Sequence, residues 1–172
     1  MIPSTAQIKN RLLAKLLTSW PRLGKAVAGR WASLETRDIP WAPLARPLKE
    51  CTVALVTTAG VHPKGQSPFN MLDPRGDPSF RKIPDGLLSD LMITHDYYDH
   101  KDADRDLNIV LPLERLHELA EEGIIGRVAP HHYGFMGHIT GPHVTTLIEQ
   151  TAPEVARRMS DQGVQAVVLT PG

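Results

Sequence analysis

Cysteine is almost absent: Cys51 is the only one in 172 residues. A single thiol excludes an internal disulfide framework and fits a reducing, cytoplasmic setting. Aromatic residues make up 5% of the chain, and they are not interleaved with basic residues, so nucleic-acid binding has no support. No run approaches the ~20 apolar residues needed to cross a bilayer, and no secretory hydrophobic block opens the chain, so no membrane role is expected. The glycine-rich signatures of nucleotide sites, G-x-G-x-x-G and the P-loop, are missing, as is a Ser-centred nucleophile elbow. Net charge is also absent, at a formal value of zero.

What remains is the composition of a globular domain, 41% apolar and 22% charged, long enough for one core. The zero balance hides an asymmetry. Residues 1–50 hold nine Lys/Arg against three Asp/Glu, and residues 51–172 hold ten against sixteen. A basic arm is therefore expected over residues 1–38, ahead of an α/β domain over 39–172, with docking on that body or on a partner as its use. In the arm, Ser4 or Thr5 can cap a helix whose Ile8, Leu12, Leu13, Leu16 and Leu17 share a face opposite Lys9, Arg11 and Lys15. Its acid-free start has the outline of an organelle transit peptide, but that apolar face suits a packed helix. Trp20-Pro21 ends it, Lys25–Glu35 is a candidate second helix, and the three prolines of Ile39–Leu48 favour an extended connector.

Cys51–Thr58 (CTVALVTT) is apolar almost throughout and reads as a strand buried on both faces of a parallel sheet. Ala59–His62 is a loop at its carboxyl end. From Pro63 to Asp106 little is periodic, and so long an irregular stretch is expected to be an ordered excursion over a site. Pro112–Glu122 is a helix with Leu113, Leu116 and Leu119 inward. Val128 opens a short strand that passes into a loop at His131–Phe135. Thr145–Gln162 is a helix that Pro153 can split, and Gln165–Thr170 is a third buried strand. This order predicts a three-layer, Rossmann-like domain with a short parallel sheet of three main strands.

Open parallel sheets bind ligands beyond the carboxyl ends of their strands. Three such ends are visible, at Thr57–His62, His131–Phe135 and Thr170–Gly172. A strand as apolar as Ala166–Leu169 wants helices over both faces, and nothing in the sequence after it supplies them. Either the domain is incomplete there or another chain covers it; a small domain closed by its last strand is the other reading.

Eight histidines are many for this length. His95–Asp106 concentrates His95, His100, Asp104 and Asp106, and three readings stay open: a metal loop, a substrate pocket, or side chains that tie the loop to its own backbone. The spacing matches neither H-E-x-x-H nor an EF-hand. His132 and Tyr133 follow the second strand, where a histidine can hold a carboxylate or protonate a leaving group, or simply fix a turn. His117 is read as a surface residue of its helix, and Cys51, at the wrong end of its strand, as inert packing.

The strings VALVTTAGVH (53–62), DPRGDPSFRKIP (73–84), THDYYDHKDADRDLNIVLPLERLHELAEEGIIG (94–126), APHHYGFMG (129–137) and VQAVVLTPG (164–172) resemble, in order and spacing, the selenoprotein B subunits of glycine, sarcosine, betaine and D-proline reductases. The resemblance runs from about residue 40 to the end. It implies an oxidoreductase that reductively cleaves a C–N bond of a small amine or amino-acid-like substrate, with a thiol as reductant and reductase partner subunits or a homo-oligomer. It also implies that the strand ending at Gly172 leads into a selenocysteine, or a cysteine in some relatives, so that no catalytic residue lies in this chain. The expected pocket is Thr57, His62, His95, His100, Asp104, Asp106, His132, Tyr133 and Thr170, with no metal and no other cofactor. A sequence stopped at a selenocysteine codon, otherwise read as stop, is the expected origin of the end at Gly172. Two other classes are carried beside it: a metal-dependent hydrolase or lyase using the His95–Asp106 loop, and a non-catalytic partner-binding remnant that docks through its basic helix.

Overall fold

The computed structural model describes residues 5–20, 42–86 and 88–172. The chain divides into two compact units, one of residues 1–43 with 96–99, the other of residues 44–95 with 100–172. In the first, α1 (Thr5–Ser19) buries Ala14 and leaves Ile8, Leu12, Leu13, Leu16 and Trp20 exposed. The expected helix at Lys25–Glu35 and residues 39–41 of the connector lie outside the described residues.

The second unit is built around β1 (Thr52–Thr57), all six residues of which are buried. On one edge β1 pairs in parallel with β7 (Ala166–Thr170), from Val53 against Ala166 to Thr57 against Thr170. On the other it meets β5 (Arg127–Val128) and then β6 (His131–Phe135), both parallel. The three expected strands are thus present and parallel. A fourth, β3 (Phe80–Pro84), adds antiparallel to β6, so the sheet is mixed. β2 (Val61–Pro63) and β4 (Leu91–Ile93) form a separate antiparallel pair. The stretch 63–106 therefore holds two strands that its low periodicity concealed. Between β1 and β2 the chain reverses at Gly60, where φ is +74° and a Cβ would stand 2.4 Å from the Thr94 carbonyl oxygen; only glycine fits there.

His131–Phe135 is a strand, not the loop that its His-His-Tyr-Gly composition suggests. Val53 pairs with Val128 but Val56 with Tyr133, so residues 129–132 make a bulge that carries two more residues than β1 does over the same interval. The Ala129 amide still donates to the Val53 carbonyl (2.9 Å). Pro130 has no amide to give, and a bulge is where a sheet tolerates that.

α2 (Leu113–Glu121) buries Leu113 and Leu116. The next helical run is longer than expected and unbroken: α3 (Pro142–Thr146), a π-helical turn over Leu147–Thr151, and α4 (Ala152–Asp161). Pro153 cannot donate an amide, and its ring crowds the preceding turn. A widened turn just before it relieves that crowding and lets the helix continue. Val155 packs with Val56, Tyr133 and Phe135, flanked by Phe80, Leu147 and Met159.

β7 departs from expectation. Neither of its faces is buried: Val167 and Leu169 on one are 38% and 73% exposed, and Val168 on the other is 41% exposed. It lies at an edge of the sheet, paired with β1 alone among the described strands.

The excursion from Lys64 to Ser79 is anchored at several points, among them His143 on Asp73 (2.9 Å) and, with the most contacts, Arg81. Arg81, on β3, donates to the carbonyls of Ser67 (2.7 Å) and Pro68 (2.9 Å). It also lies 4.3 Å over the Phe69 ring and pairs with Asp77 at 3.5 Å. Asp77 accepts from the amides of Asn70 (2.8 Å) and Ser79 (2.9 Å) and from the Ser79 hydroxyl. Burial pushes the Asp77 carboxyl upward, but these donors and Arg81 outweigh it and hold the group below its ordinary value.

Candidate functional site

The carboxyl end of β7 runs onto the turn that follows β1. The Thr58 amide donates to the Thr170 carbonyl (3.0 Å), and the Gly172 amide donates to the Thr58 hydroxyl (3.3 Å). A Cβ at Gly172 would be 2.4 Å from Ala59 Cα, so backbone crosses backbone here and a side chain is not tolerated. Ala59 forms a bridge with Met136 just past β6. A Cβ placed on Gly137 would lie 3.0 Å from the Thr58 carbonyl oxygen, 3.5 Å from its hydroxyl and 3.6 Å from His95 Nε2. Three chain segments, 58–59, 136–137 and 170–172, therefore meet beside buried His95, which is 6% exposed.

A cleft of about 630 Å³ is lined by none of these junction residues but by segments that lead to them. One wall is Leu91, Met92 and Ile93 of β4, which leads straight into Thr94 and His95; the other includes Asp104, Asp106, Leu107 and Asn108. The turn Leu107–Ile109 is shared between the two features, because the next carbonyl, of Val110, accepts from the Thr170 hydroxyl at 2.6 Å. Lys64, Arg105 and Glu114 add charge of both signs to the cleft, which suits a small zwitterionic solute better than a simple anion.

The expected pocket residues fall into several places. Thr57 and Thr170 sit side by side in register, with the Thr57 hydroxyl accepting from the Ala59 amide (3.2 Å); His95 and Thr58 both lie close to Gly137. Asp104 and Asp106 line the cleft. Asp104 pairs with His100 at 2.8 Å, and Asp106 caps its turn by accepting from the Asn108 amide at 3.0 Å. His62 is buried with both ring nitrogens engaged, Nδ1 with the Pro63 carbonyl (2.9 Å) and Nε2 with the Thr94 hydroxyl (2.8 Å). Burial lowers its pKa. Tyr133 belongs to the core, its hydroxyl accepting from Gln162 Nε2 (3.2 Å). His132 is near the opposite, amino end of β6, where its Nδ1 accepts from the Leu55 amide at 2.9 Å. Among the described residues, no three His, Cys, Asp or Glu side chains converge in a way that could hold a metal ion. Cys51 is buried, with its thiol 3.4 Å from the Pro47 carbonyl oxygen. Sequence reasoning missed Thr58 and Gly137. The doubled threonine at the end of an apolar strand was the available signal for the first; nothing local marked the second.

The family model for glycine/sarcosine/betaine reductase selenoprotein B matches residues 32–172. The chain belongs to this family. It is 44% identical over 133 residues to D-proline reductase subunit gamma of Acetoanaerobium sticklandii, a match covering 77% of this chain and 53% of that protein. It is 32% identical over 136 residues to glycine reductase complex component B subunit gamma of Carboxydothermus hydrogenoformans, covering 77% and 30%. To betaine reductase complex component B subunit beta of Peptoclostridium acidaminophilum it is 29% identical over 141 residues, covering 74% and 30%. This selenoprotein B family member thus spans about half the length of the first of these relatives and about a third of the other two. No solved structure matches it. No helix among the described residues is long and apolar enough to cross a membrane.

Proposed function

We propose that this chain is part of a reductase subunit that cleaves a C–N bond of a small amino-acid-like substrate, with the reacting selenocysteine or cysteine directly after Gly172. The observation that carries the reading is the junction at Gly172: the strand end is exposed and lies against the Thr58 hydroxyl with His95 close by. These residues fit a chalcogen anion. The Thr58 oxygen accepts from Gly172, which leaves its proton free to donate, and a histidine nearby supplies a proton to a departing amine or shields the anion. A chalcogen there would displace the amine from its carbon; one thiol would then release the reduced product and leave a chalcogen–sulfur bond, and a second would free the chalcogen as a disulfide forms. The cleft between β4 and the Asp104–Asn108 segment, with charge of both signs, suits an amino-acid-like solute. Relatives are named as subunits or complex components, which supports action beside reductase partner subunits; the single buried cysteine suits a cytoplasmic setting.

The test has two arms. The reading frame beyond the Gly172 codon is expected to continue in frame through a selenocysteine or cysteine codon with a further cysteine nearby; unrelated sequence there overturns the proposal. The protein encoded by that longer frame, supplied with a dithiol and its partner subunits, is then assayed on D-proline, glycine, sarcosine and betaine. D-proline comes first because identity to the subunit named for it is highest among the relatives above. Failure to consume any of the four overturns the substrate class.

A further inference from the structure

The bulge between β5 and β6 leaves one amide of the central strand without a backbone carbonyl opposite it. Leu55 lies between Val53, which pairs with Val128, and Val56, which pairs with Tyr133. Its amide donates instead to His132 Nδ1 at 2.9 Å. Both residues are fully inside the protein, at 1% and 0% exposure. That bond fixes the tautomer: Nδ1 must hold a lone pair, so the proton of neutral His132 is on Nε2. Nε2 faces Asp85 Oδ1 at 4.0 Å, beyond hydrogen-bond distance. Asp85, in the turn after β3, is taken up by His117 of α2, whose Nε2 lies 2.8 Å from the same oxygen.

We infer that His132 is an acid-release latch: its Nδ1 lone pair replaces a missing backbone acceptor in the central strand, and protonation of that nitrogen parts β1 from β6. A protonated Nδ1 is a donor facing a donor, so the bond becomes a repulsion rather than a weaker attraction. The charged groups around the ring are Asp85 from the β3 turn, His117 from α2 and His131 on β6 itself; β1 offers only its amide. Burial is the largest influence and lowers the His132 pKa to about 4, with Asp85 pulling the other way and His117 and His131 adding to the lowering. The latch is therefore shut through the neutral range. The strands it joins are the two whose carboxyl ends form the Thr58 and Gly137 walls of the junction, so its release loosens that junction from the far end of the sheet. The inference is independent of the reaction proposed there.

Nuclear magnetic resonance of the uniformly ¹⁵N-labelled chain tests it directly. At neutral pH a scalar coupling across the hydrogen bond is expected between the Leu55 amide nitrogen and His132 Nδ1, with His132 in the Nε2–H form. On acidification the coupling and the exchange protection of the Leu55 amide should vanish together, as His132 titrates. An Nδ1–H tautomer, or a Leu55 amide unprotected at neutral pH, overturns the latch. His132→Asn, which keeps an acceptor that does not titrate, should hold Leu55 protected to lower pH than the wild type. Loss at an unchanged pH overturns the inference too. If that variant does not fold, the wild-type titration decides alone, and Asp85→Asn supplies a second check by moving the release to lower pH.

Discussion

Thr58 and Arg81 each do what no local pattern announces. The Thr58 hydroxyl is the acceptor for the Gly172 amide, and a valine there keeps the shape but removes the acceptor. Thr58→Val should cost about 1 kcal/mol or less in urea unfolding while markedly accelerating hydrogen exchange at Gly172; unchanged exchange would mean that the strand end is held by something else. Arg81 reaches carbonyls 13 and 14 residues back along the chain and pairs with buried Asp77. Arg81→Met should lose about 1 kcal/mol, because it takes the cation from Asp77, which keeps its Asn70 and Ser79 donors, and hands two exposed carbonyls to water. Limited proteolysis should then cut first within residues 64–79. Cys51 as inert packing was legible, since its place at the start of an apolar run is enough to bury it. The anchors of Arg81 were not, because backbone carbonyls look alike in any sequence.

At the level of elements, the apolar pattern located α2 and the long helix by helical periodicity, and β1 and β7 by unbroken apolar runs. It failed on β6 for a physical reason. His131 to Gly134 lack the alternation of a half-buried strand, and here a glycine is required inside the strand, since a Cβ at Gly134 would meet the Val61 carbonyl oxygen at 2.1 Å. It also assumed that an apolar strand is covered. β7 has a largely exposed Leu169 and carries no lysine, the residue that commonly guards a sheet edge. Leu169→Lys should leave the unfolding free energy within about 0.5 kcal/mol and reduce any self-association seen by sedimentation velocity. A large loss of stability would show that the side chain is packed in solution.

For the molecule as a whole, the acid side of the stability profile is set by buried histidines before carboxylates. His132 titrates at about 4 when folded against 6.5 when free, so the unfolded chain binds the extra proton between those values. Its contribution is full above about pH 6.5 and is lost as pH falls toward 4. The shift corresponds to something on the order of 3 kcal/mol. His62, also lowered by burial, adds in the same direction. Asp77, held below its ordinary value, contributes above its unfolded pKa and is lost only as pH drops through the lower folded one. Urea unfolding across pH 7 to 4 should therefore show a steady decline beginning well above the carboxylate range; a flat profile down to pH 5 would contradict the burial of both rings. The α/β class and the family were readable from the chain. The meeting of residues 58, 137, 95 and 172 was not, because it depends on three loops crossing in space.

The detour at Pro130 has one more consequence. It inserts two residues rather than one, so the up-and-down alternation of side chains along β5 and β6 stays in phase across it. Removing either Ala129 or Pro130 alone would turn Tyr133 and Phe135 outward and empty the aromatic cluster around Phe80. Removing both would preserve which face each residue occupies. The fold should thus survive the larger deletion better than the smaller, an inversion that thermal melts of the two shortened chains would reveal.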